Sequence, residues 1–278
     1  MAKIVGAITT SHVPGIGRAI AQNLQQDPYW KPFFDGFTPI HQWLDKVKPD
    51  VAVVFYNDHG LNFFLDKMPT FSVGAAKEYL NADEGWGIPT LPPFKGNPDL
   101  SWKLINGLIE REFDITTCQE MLVDHAFTLP MKLLWPNETS CPIPTIPVCI
   151  NTVQFPMPSA KRCFDLGKAV GQAIQGWDDD KVVVIGTGGL SHQLDGERAG
   201  FINKEFDTAF MHSLIDNPRF ATQYTIEELV ELTGTQGVEL VMWLAARAAM
   251  PGAVKQVAAN YHIPISNTAA GSMLMEAV

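Results

Sequence analysis

The 278 residues carry 20 Lys and Arg against 30 Asp and Glu, a net charge of -10, so the chain repels phosphate backbones and anionic lipid surfaces. No nucleic-acid or membrane partner is expected. Hydrophobic residues make up 46% and charged residues 18%, which excludes a disordered chain and leaves enough apolar surface for a large core.

The first expected element is a short apolar strand over residues 3–8, followed by Thr9, Thr10, Ser11 and His12. A helical pattern covers 39–48 and a second apolar strand covers 51–56, after which come Asn57, Asp58 and His59. Pro-rich stretches at 88–98 and 136–144 read as long surface connections. Between them lie a helix over 99–112 and a helical run over 129–135, the latter preceded by Asp124 and His125. Further strands are expected over 146–153 and 181–185, and helices over 159–175, 203–216, 225–232 and 237–250. This alternation predicts one α/β domain spanning 1–278, with a mostly parallel or mixed central sheet flanked by helices. Repeats, low-complexity tracts and dividing linkers are absent from the sequence.

Cys118, Cys141, Cys149 and Cys163 form no C-x-x-C pair, and no secretory signal precedes the first apolar segment, so reduced thiols and a cytoplasmic location are expected. The longest apolar run, 238–250, is too short to span a membrane and contains Glu239 and Arg247.

Three of the seven histidines follow a predicted strand within a few residues: His12, His59 and His192. Parallel strands end on one edge, where open α/β sheets bind ligands, so the active site is expected at the C-terminal strand edge. Such histidines suit either a metal or an acid/base site, although each alone is more often a hydrogen-bonded loop residue. The glycines before His192 lack both the full G-x-G-x-x-G spacing and a P-loop lysine, which argues against phosphate binding. Glu239 stands in a run that is apolar almost all round, with Thr235 placed to cap the helix. A carboxylate there either binds a partner such as a metal or complements the helix dipole. Asp124 and His125 read as a helix cap and a packing imidazole. His41 and His212 read as surface positions of amphipathic helices, and His262 is open between roles.

The segments ITTSHVP (8–14), YNDHG (56–60), ADEGWG (82–87), VDH (123–125), GTGGLSHQ (186–193) running on to EFD (205–207), GVELVMW (237–243) and YHIPISNT (261–268) occur in this order. Together they resemble the class III extradiol ring-cleaving dioxygenases, and within them the catalytic β subunits of protocatechuate 4,5-dioxygenases. The resemblance covers nearly the whole chain. It implies Fe(II) held by His12, His59 and Glu239, with His192 as acid/base and His125 hydrogen-bonding to substrate or oxygen. It further implies O2-dependent opening of protocatechuate, with Ser266 and Asn267 contacting the substrate carboxylate. A small helical α subunit is expected as a partner in an α2β2 assembly. An anionic substrate would feel the chain's negative field, so its site needs local donors or cations. Gallate or another substituted catechol or aminophenol would use the same metal site. Two histidines and a glutamate also suit zinc, so a hydrolase on a similar frame is the alternative from another class.

Overall fold

The computed structural model describes residues 1–85, 90–263 and 268–278. Its strands are β1 (Lys3–Thr10), β2 (Val51–Tyr56), β3 (Phe71–Gly74), β4 (Glu78–Asn81), β5 (Phe94–Lys95), β6 (Thr116–Cys118), β7 (Leu122–Val123), β8 (Thr145–Ile150), β9 (Lys181–Thr187), β10 (Val254–His262) and β11 (Ala270–Ala277). Eight of them form one sheet in the order β10-β11-β1-β9-β2-β8-β3-β6, and β5-β4-β7 form a small second one. The middle strands β1, β9, β2 and β8 are mutually parallel. Strand β11 joins β1 antiparallel and β3 joins β8 antiparallel, so the sheet is mixed.

The helices are α1 (Pro14–Ala21), α2 (Lys31–Asp35), α3 (Thr38–Val47), α4 (Pro98–Ile109), α5 (His125–Leu134), α6 (Ala160–Ile174), α7 (Lys204–Asp216), α8 (Ile226–Thr233) and α9 (Leu240–Ala249). Period-two alternation divides the strand side chains between two cores. Val53 and Phe55 of β2 face Leu104, Leu166 and Leu244 from α4, α6 and α9. Val54 and Tyr56 face Ile40 and Trp43 of α3 and Phe127 of α5. The result is a sheet with helices on both faces, which explains why its central strands are apolar along their whole length.

The four predicted strands are present, with β1 and β9 each running two residues further than expected and β8 ending at Ile150. The expected helix over 237–250 is a 3-10 turn, Gly237–Glu239, leading into α9. Thr235 does not cap it; its hydroxyl donates to Gln236 Oε1 instead, at 2.6 Å. Part of the Pro-rich stretch 88–98 is not plain connection, since β5 lies within it. Arg247, buried on α9, is satisfied by donating to the carbonyls of Leu214, Met250 and Gly252. All four cysteines are free thiols. Among the described residues no helix is long and apolar enough to cross a membrane.

Helices α6 and α9 approach closely because α6 presents glycine at the contact. A Cβ on Gly167 would lie 2.1 Å from the Ala245 carbonyl oxygen. We therefore expect Gly167→Ala to force the helices apart and to cost about 1–3 kcal/mol, measured by urea unfolding. An unchanged unfolding midpoint would contradict this packing account.

Candidate functional site

Strands β1, β9 and β2 are adjacent and parallel, so their C-terminal ends deliver His12, His192 and His59 to one edge. The N-terminal end of α9 brings Glu239 to the same place. It can do so because β9 has glycine where α9 crosses it: a Cβ on Gly186 would stand 2.4 Å from the Met242 carbonyl oxygen. Gly188 follows with φ of +107°, a conformation unfavourable for side-chain-bearing residues, and a Cβ there would meet Glu239 Cβ at 2.7 Å. The next backbone N–H, that of Gly189, donates to Glu239 Oε2 at 3.1 Å.

The carboxylate lies between two imidazoles. Its Oε2 is 3.2 Å from His12 Nε2, and its Oε1 is 3.5 Å from His59 Nε2. Asn57 Nδ2 donates to Oε1 at 3.2 Å. Glu239 and His12 are buried. Burial pushes the Glu239 carboxyl up, yet the His12 and His59 imidazoles outweigh it and hold it well below the usual range. Burial also lowers His12 against the pull of Glu239.

His59 is oriented from behind. Its Nδ1–H and its backbone N–H both donate to Asp124 Oδ2, each at 2.8 Å, leaving Nε2 toward Glu239. Burial opposes a charge on His59, but Asp124 and Glu239 raise it well above its ordinary value. In return, and again against burial, His59 holds the Asp124 carboxyl at about 2. The other Asp124 oxygen accepts from the Ala126 N–H as the N-cap of α5. The expected helix cap is therefore present, and the same carboxylate also orients a histidine 65 residues away in sequence.

His125 stacks on His59 with ring centroids 4.2 Å apart and lies edge-on to His12 at 5.4 Å. Its Nδ1 and backbone N–H donate to the two oxygens of Glu84, each at 2.6 Å. His192 donates Nδ1–H to the Leu190 carbonyl at 2.8 Å, which leaves Nε2 as the basic nitrogen in the neutral ring. Its loop is fixed by Asp207, which accepts from the Ser191 N–H and hydroxyl and from the Tyr261 hydroxyl.

A cavity of about 480 Å³ is lined by His12, His59, His125, His192 and Glu239, together with Arg18. All five sequence candidates among the described residues thus come together. Ser266 and Asn267 lie outside the described residues. His41 is half-buried rather than a surface residue and donates to the Leu133 carbonyl, His212 is exposed, and His262 donates to the Tyr29 carbonyl. Sequence reasoning missed Glu84 and Asn57, and it gave Asp124 only its capping role.

Among the described residues, two donor sets are compact enough for a cation. Ring nitrogens of His12, His59 and His125 lie within 4.8 Å of one another, as do ligand atoms of Glu84, Asp124 and His125. The Glu239 carboxylate, in contact with both His12 and the half-buried His59, completes a two-histidine, one-carboxylate face.

Over residues 6–271 the chain matches the family described as the catalytic LigB subunit of aromatic ring-opening dioxygenase. A gallate dioxygenase of Pseudomonas putida is 37% identical over 70% of this chain and 57% of its own length. A 2,3-dihydroxyphenylpropionate/2,3-dihydroxicinnamic acid 1,2-dioxygenase of Photorhabdus laumondii is 34% identical over 73% of this chain and 61% of its own length. The chain thus matches less than two thirds of the length of these two relatives. Its fold is similar to that of an uncharacterized protein of Escherichia coli, with a TM-score of 0.55 at 14% identity over 97% of this chain and 99% of that one. On the family match, which takes in all five clustered residues, the chain belongs to the family of catalytic LigB subunits of aromatic ring-opening dioxygenases.

Proposed function

We propose that the chain, acting as one catalytic domain over 1–278, is a non-haem Fe(II) extradiol dioxygenase. Its substrate is protocatechuate (3,4-dihydroxybenzoate), opened at the 4,5 bond with O2 to give 4-carboxy-2-hydroxymuconate semialdehyde. The observation that carries this reading is the convergence of His12 Nε2, His59 Nε2 and the Glu239 carboxylate in one place, at the ends of β1, β2 and α9. Two histidines and one carboxylate on a single face are the donor set that suits ferrous iron while leaving positions for other ligands.

Glu239 is preferred over His125 as the third donor for two reasons. It is an anion touching both imidazoles, and His125 is drawn the other way by Glu84. Iron held by His12, His59 and Glu239 would supply Lewis acidity and redox chemistry for the reaction of the ring diol with O2. His192 accepts a proton at Nε2 from a substrate hydroxyl and returns it later in the cycle, its ring held by the Leu190 carbonyl. His125, whose Nδ1–H is held by Glu84, hydrogen-bonds to substrate or oxygen.

In the neutral ring that a cation requires, Asp124 holds the proton of His59 at Nδ1 and so leaves Nε2 as the donor atom. Asp124→Asn is expected to lower ferrous affinity about 10- to 100-fold, measured by anaerobic equilibrium titration, while the protein stays folded. Equal affinity in the two proteins would remove Asp124 from the account. A small helical α subunit in an α2β2 assembly is proposed as the partner, and the four free thiols suit a reducing cytoplasm.

The named activities of the relatives favour a second reading, in which gallate or a 2,3-dihydroxyphenylpropionate is the ring that is opened. Oxygen uptake by anaerobically iron-loaded protein, run with protocatechuate, gallate, 2,3-dihydroxyphenylpropionate and catechol, distinguishes them. Protocatechuate should give the highest kcat/KM. A higher value with gallate supports the second reading, and uptake with none of the four overturns both.

A further inference from the structure

An anionic substrate must enter a chain of net charge -10, and the cavity wall adds Asp83, Glu84 and Glu239 to that field. Among the described lining residues, Arg18 is the one Lys or Arg. It sits on α1, which begins two residues after His12. Pro14 and Arg18 both line the cavity, and positions four apart share one helix face. The opposite flank, Ile16 and Ala19, is buried, which fixes how α1 is turned. Arg18 itself is exposed, as suits a group at the mouth.

We infer that Arg18 is a specificity-determining residue that binds the carboxylate of the ring substrate at the cavity mouth, while the diol end lies against His12, His59 and His192. This rests on the ring-opening reading proposed above. A guanidinium is the side chain best matched to a carboxylate, since its fork can give two parallel N–H bonds. Arg18 also has a contact within the chain. With five N–H donors it can serve that contact and a carboxylate together. Its local charge offsets the acidic wall just where an anion would enter.

The test compares the wild type with Arg18→Met and Arg18→Lys, changes at an exposed position that leave the fold intact. One arm measures kcat/KM by oxygen uptake with iron-loaded protein, using protocatechuate and gallate against catechol and 4-methylcatechol. The acid-to-neutral ratio of kcat/KM should fall about tenfold or more in Arg18→Met, mostly through KM, with Arg18→Lys between. The other arm measures equilibrium binding of 4-hydroxybenzoate to metal-free protein, which involves no ring opening. Its affinity should fall about tenfold or more in Arg18→Met and depend on salt in the wild type. An unchanged acid-to-neutral ratio, or equal 4-hydroxybenzoate affinity in the wild type and Arg18→Met, overturns the role given to Arg18. If the wild type opens no catechol at all, the ring-opening reading fails, and the binding arm alone still decides whether Arg18 holds a carboxylate.

Discussion

Replacing His192 with Phe is expected to leave ferrous iron bound while slowing ring opening about 100- to 10,000-fold, the usual worth of a positioned acid or base. The ring is close to the cluster but outside its contacts: no hydrogen bond joins His192 to Glu239, His12 or His59 among the described residues. Its Nδ1–H is committed to Leu190 and its backbone N–H to the Thr233 carbonyl. Phe fills a similar volume, so the loop that Ser191 ties to Asp207 should keep its place. Iron content after anaerobic loading, read beside kcat, checks both halves. Loss of iron from the variant would mean that His192 is a ligand rather than a base.

Glu239→Ala is expected to abolish both iron retention and turnover. The substitution removes the anion that balances the metal's charge and leaves His12 and His59 as a pair of neutral donors. It also leaves Asn57 Nδ2 and the Gly189 N–H without the oxygens they now reach. An interaction of this kind, where one partner is deleted inside a buried network, costs more than a surface pair would. Iron content near the wild-type level would instead point to His125 as the third donor, since its ring nitrogen already lies within 4.8 Å of those of His12 and His59.

The centre of the sheet was legible in the sequence because β1, β2, β8 and β9 are buried on both faces and read as unbroken apolar runs. Strand β10 was not, because it lies at the sheet's edge with half of its side chains in water, and VKQVAANYH has no clean alternation. Strand β11 was missed for another reason: the MLMEA of AGSMLMEA is made of good helix formers, and its pairing between β1 and β10 makes it a strand. Helix α1 carries two glycines in eight residues, a composition that argues against helix until the buried Ile16 and Ala19 are seen.

The site divides in the same way. His12, His59 and His192 could be found from their place after strands, and Glu239 from its charge in an apolar run. Glu84 and Asp124 act on histidines 41 and 65 residues away, and no local pattern reports a pairing over such separations. For Asp124 the cap was the visible half of its work, because capping is a local interaction and the bond to His59 is not.

The most direct test of the central claim is diffraction at the iron absorption edge from crystals grown and loaded with ferrous iron without oxygen. The account predicts one anomalous peak within bonding distance of His12 Nε2, His59 Nε2 and a Glu239 oxygen, with no further protein atom bonded. A peak held by Glu84, Asp124 and His125, or one from which Glu239 is absent, would contradict it.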